Sequence, residues 1–399
     1  MGQDSAVLHR IVIVLILTLA SPPVSSGGEA SLSVHWQRPV KTGGYGAVES
    51  LYPENCAACH RSQYDDWKGA LHSKSVGPGL LAQLDTEKYP ETAMSCYFCH
   101  APLSLQNEIA VVDNNGPAYA PNGSFDERLK SSGVGCAVCH VREGGVFGPR
   151  GHERSKGSPR ANHASIQSDI FERAEFCAAC HQLDQGYELN GKLLVNTFTE
   201  WKESEYGKSN VQCQSCHMPG RKHLFRGIHD PEMVKSGVKF EVERVDTGAS
   251  IGAKLRIINS GVGHYFPTYV TPLVVVKGFL TDSKGKALKG TLKEKVIGRK
   301  VTIDLSRELF DTRIPPSGSS EFYYALRRPV KADRLIFEVW VFPDEFYDRF
   351  FENASKRRDP AMKIEELEEA LKITSGSGYL LFKRELSLDE LSSTVYQLR

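Results

Sequence analysis

The chain has 399 residues, 40% of them hydrophobic, which suits two compact domains and excludes the composition of a disordered protein. Its formal charge of +1, from 49 Lys and Arg against 48 Asp and Glu, lacks the basic excess that tracks a phosphate backbone. No zone interleaves Lys or Arg with aromatics, so nucleic acid is not expected as a partner.

The first thirty residues read as an export signal. His9-Arg10 form a short basic region, Ile11 to Ala20 an apolar run, and Ser21-Pro22-Pro23 a break before small residues, with cleavage expected near Ser26. The competing reading is an uncleaved membrane anchor, but the apolar run falls well short of the roughly 20 residues needed to span a bilayer. Residues 1–26 are therefore assigned as signal peptide and 27–44 as a flexible lead, and the mature chain is expected in the periplasm or outside the cell, without a membrane span.

All ten Cys fall in five copies of one pattern. These are Cys56-Ala-Ala-Cys59-His60, Cys96-Tyr-Phe-Cys99-His100, Cys136-Ala-Val-Cys139-His140, Cys177-Ala-Ala-Cys180-His181 and Cys213-Gln-Ser-Cys216-His217, here motifs 1 to 5. A Cys-x-x-Cys-His segment reads as c-type haem attachment: the two thiols reach the two vinyl groups of one porphyrin, and the adjoining imidazole meets its iron. Three rivals explain less. Scattered disulfide cysteines would not each be followed by His at the second thiol. Five zinc knuckles cannot pair off, and their starts lie 36 to 41 residues apart, not the roughly 15 to 20 of a zinc ribbon. A thioredoxin-like motif needs a βαβ context, which these segments lack. Five covalent haem c groups are therefore expected, and their propionates make the mature surface more acidic than +1.

The motif spacing defines a repeat array over residues 45–235, one cofactor per unit of about 40 residues. Its loops are rich in Gly, Pro, Asn and charge, as in Asn114 to Gly123 and Glu143 to Ala161, so porphyrin faces must supply much of its core. After Gly237 apolar and polar residues alternate, at Val238, Phe240 and Val242, Leu255 and Ile257, Leu273 to Leu280, Phe322 to Leu326 and Leu335 to Val341. Residues 236–345 read as an antiparallel β-sandwich. Residues 346–399 hold a helix, N-capped by Asp359 with Pro360 at its first position, and a C-terminal strand or tail, both packing on the sandwich. The fold class is thus α+β and multidomain, a mostly helical and looped haem half followed by a sandwich with one or two helices.

An iron held by one His is open to ligands, whereas a second strong ligand closes it and favours electron transfer. Outside the signal and the motifs the candidates are His35, His72, His152, His163, His223, His229 and His264. His72 lies about three helical turns past His60, beyond Trp67, on an expected helix. His223 and His229, six apart, cannot share a helical face and would serve two haems. His264 sits in a Gly-rich turn of the β half, Gly261-Val-Gly-His264-Tyr-Phe-Pro267, where Tyr265 and Phe266 could cover a porphyrin edge and tie the halves together. His163 is the fifth choice, His152 competes with it and His35 ranks last. Tyr206, at the place of His72 in the segment before motif 5, reads as a packing or hydrogen-bonding residue, and Met218 is too close to His217 to reach the same iron.

Motif 1 followed by Tyr64, Trp67 and His72, then Gly133-Val-Gly-Cys136-Ala-Val-Cys-His, Phe176-Cys-Ala-Ala-Cys-His-Gln182 and Cys213-Gln-Ser-Cys-His-Met-Pro219, resemble the multihaem cytochrome c family. That family includes tetrahaem electron carriers of hydroxylamine oxidation and is related to pentahaem nitrite reductases. The resemblance covers roughly residues 50 to 345, and its later part looks like members with an appended β domain. It implies closely stacked, mainly bis-His haems, supporting His72, His163, His223, His229 and His264 over His35 and His152. Pentahaem nitrite reductases typically carry Lys in place of one motif His and have long C-terminal helices, whereas here all five motifs keep His and a β domain follows.

The leading expectation is a periplasmic or extracellular electron-transfer protein serving redox partners such as other cytochromes or quinone-linked complexes, with oligomers possible. Two alternatives stand beside it: a haem enzyme acting on a small nitrogen or sulfur oxide at one open iron, and a subunit of an extracellular cytochrome filament.

Overall fold

The computed structural model describes residues 50–388 except 88–89, 112–118, 152–162, 246–249, 328 and 330. The expected signal segment, His35 and His152 lie outside the described residues. None of the described helices is long and apolar enough to cross a membrane.

Up to Gly237 the chain is a succession of short helices and two-residue to four-residue strands. Cys-x-x-Cys-His spans little more than one helical turn, so a helix puts both thiols on one side with the imidazole next to them. Motifs 2 to 5 accordingly close or fill the helices Pro90–His100, Cys136–His140, Ala174–His181 and Cys213–His217. Motif 1 starts in Pro53–Ala57, and the His60 amide continues the turn by donating to Cys56 O at 2.9 Å. Helix starts follow the local chemistry: Pro occupies the first turn at Pro53, Pro78 and Pro231, and the Asp126 and Asp230 side chains accept from the amides of Leu129 and Met233.

The β half has eight long or medium strands: β1 Val238–Arg244, β2 Ser250–Asn259, β3 Leu273–Thr281, β4 Lys293–Val301, β5 Glu308–Asp311, β6 Ser319–Arg327, β7 Arg334–Phe342 and β8 Tyr379–Ser387. They form a five-stranded sheet ordered β5-β4-β3-β7-β8 and a three-stranded sheet ordered β6-β2-β1, antiparallel throughout. Leu255 and Ile257 of β2 and Phe322 and Tyr324 of β6 pack with Val274, Val276, Phe337 and Val339 of β3 and β7 in one buried core. Alternation along each strand supplies that face, because successive side chains point to opposite sides of a sheet. The fold is α+β, with a helical haem half and C-terminal antiparallel sheets.

The C-terminal region differs in detail from its sequence reading. The helix begins at Ile364, not at Pro360, because Asp359 instead closes a local turn by accepting from the Ala361 amide at 3.0 Å. A second helix, Glu345–Arg357, precedes it. The two pack around Phe351, Ala354, Leu367 and Ala370 against Ala82 of Pro78–Leu84, so they cover the haem half, while β8 extends the larger sheet. His72 lies not on the helix of Trp67, which ends at Gly69, but on a following 3-10 turn, Leu71–Lys74.

Candidate functional site

The five motifs line one cavity of about 3240 Å³ that runs through the haem half to the edge of the sandwich. Ordinary ligand pockets hold roughly 300–1,000 Å³, so this one has room for several large groups. Its walls bring histidines together in pairs. Ring centres lie 6.3 Å apart for His60 and His163, 6.2 Å for His72 and His181, 6.2 Å for His140 and His223, and 6.4 Å for His217 and His264. Two metal–imidazole bonds of roughly 2.0–2.1 Å in line, with the half-width of each ring, separate ring centres by roughly 6 Å. Each pair joins one motif His to one distant His.

The ring nitrogens turned away from these gaps are engaged. His140 Nδ1–H donates to Phe147 O at 2.7 Å, His217 to Arg226 O at 2.6 Å and His264 to Tyr265 O at 2.8 Å. His223 Nδ1 is 3.1 Å from Arg221 O, and His223 is itself anchored by its amide donating to Asp66 Oδ2 at 3.0 Å. Such bonds fix the tautomer and leave Nε2 for a metal. Motif 4 differs: His181 Nδ1 meets a phenol, Tyr269 Oη of the β half, at 2.6 Å. Burial pushes His72, His140, His181 and His264 down to about 4, helped by neighbouring imidazoles, so all four rings are neutral at neutral pH.

The remaining motif imidazole, His100, donates Nδ1–H to Ser75 O at 2.8 Å, and the described residues place no imidazole ring opposite it. His229, expected as a distal ligand, lines the same cavity and hydrogen-bonds through Nε2 to Asp344 Oδ2 at 2.9 Å. Tyr206 donates to Ser260 O at 3.1 Å, in keeping with a packing role.

Positions of the distal residues follow from identifiable contacts. His72 O accepts from the Val134 amide at 3.0 Å, while Trp67 Nε1 donates to Val134 O at 2.8 Å, so the segment before motif 3 grips the turn that carries His72. The His264 turn is held by Glu200, which accepts from the Tyr265 amide at 3.1 Å and from Thr268 Oγ1 at 2.7 Å and pairs with Arg313 at 3.0 Å. Tyr265 lies under the Arg313 guanidinium, and Phe266 enters the sandwich core while also lining the cavity. Gly263 is needed because a Cβ there would press on Trp201 and Tyr206.

Thiols of different motifs also meet. Cys56 and Cys136, Cys99 and Cys180, and Cys177 and Cys213 are within hydrogen-bonding reach, and Cys139 lies close enough to Cys180 to feel its charge. Motif 4 thus touches motifs 2, 3 and 5. Nearby, the buried Arg142 uses Nη1 on Val141 O at 2.7 Å but has no protein partner for Nε or Nη2. A group bearing carboxylates, as haem does, would supply the missing acceptors, so cavity size, imidazole spacing and orphaned donors all fit that cofactor. Sequence reading missed Arg142, Glu200 and Tyr269. Only Tyr269, five residues past His264 in the same turn, carried a signal in its proximity to a candidate ligand.

Comparison with known proteins agrees with this geometry. Residues 55–141 match the family described as cytochrome c554 and c-prime. Cytochrome c-554 of Nitrosomonas europaea is 27% identical over 172 residues, covering 38% of this chain and 66% of the relative. Cytochrome c-552 of Aliarcobacter butzleri is 25% identical over 141 residues, covering 32% of this chain and 27% of the relative. The chain therefore spans just under two thirds of the first relative's length and about a quarter of the second's. In fold it is similar to a penta-heme cytochrome c552 from Thermochromatium tepidum, with a TM-score of 0.56 at 18% identity over 85% of this chain and 99% of that one. With five Cys-x-x-Cys-His segments converging on one cavity whose walls fit haem c, the chain is similar to multihaem cytochromes c in its motifs and in its fold.

Proposed function

We propose that the chain is an exported electron-transfer cytochrome carrying five haem c groups, one at each motif. The observation that carries this reading is the set of four imidazole pairs at 6.2–6.4 Å, each joining a motif His to a distant one. Two strong axial ligands close an iron to substrates and favour electron transfer. His60 with His163, His181 with His72, His140 with His223, and His217 with His264 are then the axial pairs. The thiol contacts support close packing of the haems in the order of motifs 1, 3, 4 and 5, with motif 2 a branch from motif 4. Residues 1–26 direct export to the periplasm or beyond, 45–235 carry the haems, and 236–345 form the sandwich. Electrons pass to and from other cytochromes or quinone-linked complexes. Electron paramagnetic resonance of the oxidised holoprotein, with its intact mass, tests this: five haems by mass and at least four low-spin irons are expected. Fewer haems, or mostly high-spin iron, would sink it.

One observation favours a second reading for motif 2 alone. His100 has no imidazole ring paired with it among the described residues. In that reading the iron at Cys96 and Cys99 keeps an exchangeable position and acts on a small nitrogen or sulfur oxide. A high-spin signal that nitrite or carbon monoxide perturbs supports it, and five low-spin signals insensitive to both remove it.

A further inference from the structure

Among the motif histidines whose Nδ1 partner is described, His181 meets a side chain of the β half, and that side chain stands next to a row of hydroxyls. Tyr269 Oη lies 2.6 Å from His181 Nδ1, and the Thr197 side chain is its neighbour. Thr197 Oγ1 is 2.9 Å from Thr268 Oγ1, and Thr268 Oγ1 donates to Glu200 Oε2 at 2.7 Å. Glu200 is paired with Arg313 at 3.0 Å, and both side chains are almost wholly buried, at 4% and 7% exposure.

Each hydroxyl has a single proton, so the carboxylate end sets the direction of the whole row. Thr268 spends its proton on Glu200 and must accept from Thr197. Thr197, its own proton committed to Thr268, can offer the neighbouring phenol only an acceptor, which leaves Tyr269 to accept from His181 Nδ1–H. Glu200, accepting at both oxygens, thereby favours the His181 tautomer that offers Nε2 to a metal. Bonds aligned head to tail in a buried row polarise one another, so the phenol is a stronger acceptor than its isolated chemistry provides. His100, His140 and His217 rely on main-chain carbonyls of the haem half and have no such link.

We propose that Tyr269 is a positioning residue of the β half that, backed by Thr197, Thr268 and Glu200, orients and electronically tunes the motif 4 imidazole, holding the reduction potential at that junction below the value it would otherwise have. A stronger acceptor on Nδ1–H makes the imidazole more electron-donating and favours the oxidised metal. Since motif 4 neighbours motifs 2, 3 and 5, this one contact biases every route through the molecule. The proposal rests on His181 being an axial ligand.

The test is potentiometric titration of the haem-loaded, full-length protein, with low-spin electron paramagnetic resonance recorded on the same samples. Tyr269→Phe keeps the ring and removes the acceptor. One centre should become easier to reduce by on the order of tenfold in its one-electron constant, about 59 mV, with altered g-values for one signal. Thr197→Val, isosteric and leaving Tyr269 in place, should move the same centre in the same direction by less. Unchanged potentials in both variants, a downward shift, or a shift of several centres together would overturn the proposal. If Tyr269→Phe does not assemble, an unmoved potential in Thr197→Val is sufficient to overturn it. Failure of the axial assignment is separable: it would appear in the unaltered protein as too few low-spin irons, before any variant is made.

Discussion

An imidazole can serve an iron only if it is neutral and aimed, and the distal residues here owe both properties to their immediate neighbours. His264 has its Nδ1–H bound to Tyr265 O, its own carbonyl bound by Asn259 Nδ2 at 2.9 Å, and its ring 6.4 Å from His217. Truncating it removes one ligand without touching a motif. His264→Ala is therefore expected to convert one low-spin iron into a high-spin iron that added imidazole returns to low spin, with the other signals intact; an unchanged low-spin count would refute the pairing. His72 depends on Gly133, whose φ is +58° and where a Cβ would collide with Ser75 Oγ and lie 2.8 Å from His72 O. Left-handed backbone alone costs a residue with a Cβ roughly 1–2 kcal/mol. Gly133→Ala should lower the denaturation midpoint accordingly and broaden the spectrum of the centre that His72 faces. Full stability with an unaltered spectrum would show that the turn is not gripped as described.

At the level of elements, the His264 turn is fastened to helix Thr197–Glu203 by buried charge. Arg313 bridges Glu200 and Asp311, and Lys192 of the hairpin Glu188–Leu193 reaches Asp311 at 2.8 Å and Glu308 at 2.9 Å. Breaking a buried pair by removing one partner costs about 3–5 kcal/mol, because the other charge is left behind. Arg313→Leu should thus reduce stability by that order in thermal unfolding, whereas Arg334→Leu, removing an exposed pair with Glu385, should leave it nearly unchanged. Burial pushes the Asp311 carboxyl up, but Arg313 and Lys192 together outweigh it and hold it well below the usual range. A depressed folded-state value contributes stability that is complete above the ordinary aspartate range and is lost as pH falls through the lower value. The Asp311 contribution, read as the difference in thermal midpoint between the unaltered protein and Asp311→Asn, should therefore persist at neutral and mildly acidic pH and vanish only in strong acid; its loss already near neutrality would contradict this. Sequence reading found β1, β2, β3, β6 and β7 because each alternates cleanly. It missed β4, where Arg299 is fully buried only because Glu308 and the carbonyls of Leu189, Lys192 and Leu193 satisfy its guanidinium. It also missed helix Glu345–Arg357, whose aromatic run has no clear period until Phe346, Phe351 and Ala354 are seen to face one way.

The molecule as a whole is two halves with different sources of stability, and this too was partly legible. Motifs fix covalent chemistry at fixed spacing, so attachment could be read directly, whereas the paired imidazoles lie 47 to 109 residues apart and depend on how loops return. His229 shows the limit: its spacing from His223 allowed a second haem, but nothing in the sequence tied it to Asp344, on the far side of the sandwich sequence, which hydrogen-bonds its Nε2. In the sandwich a continuous core runs between two sheets, from Leu255 and Phe322 to Val276 and Phe337. Among the described residues of the haem half, Leu51, Leu103, Leu129, Ala137, Val138 and Val141 form a small buried apolar cluster beside a cavity of about 3240 Å³. Apolar porphyrin faces are what would close that cavity, since apolar surface left against water opposes collapse. A chain produced without haem attachment should consequently keep the sandwich and lose the rest. Limited proteolysis of that full-length haem-free chain is expected to leave a resistant fragment beginning near Pro231, where helix Pro231–Gly237 docks Val234 into the sandwich core, and running through β8. The haem-loaded protein should resist cleavage across motifs 1 to 5 as well. Equal protection of both halves without haem would mean that the polypeptide alone fills the first half, and degradation of both would mean that the sandwich needs the haem half through the Arg299 and Arg313 contacts.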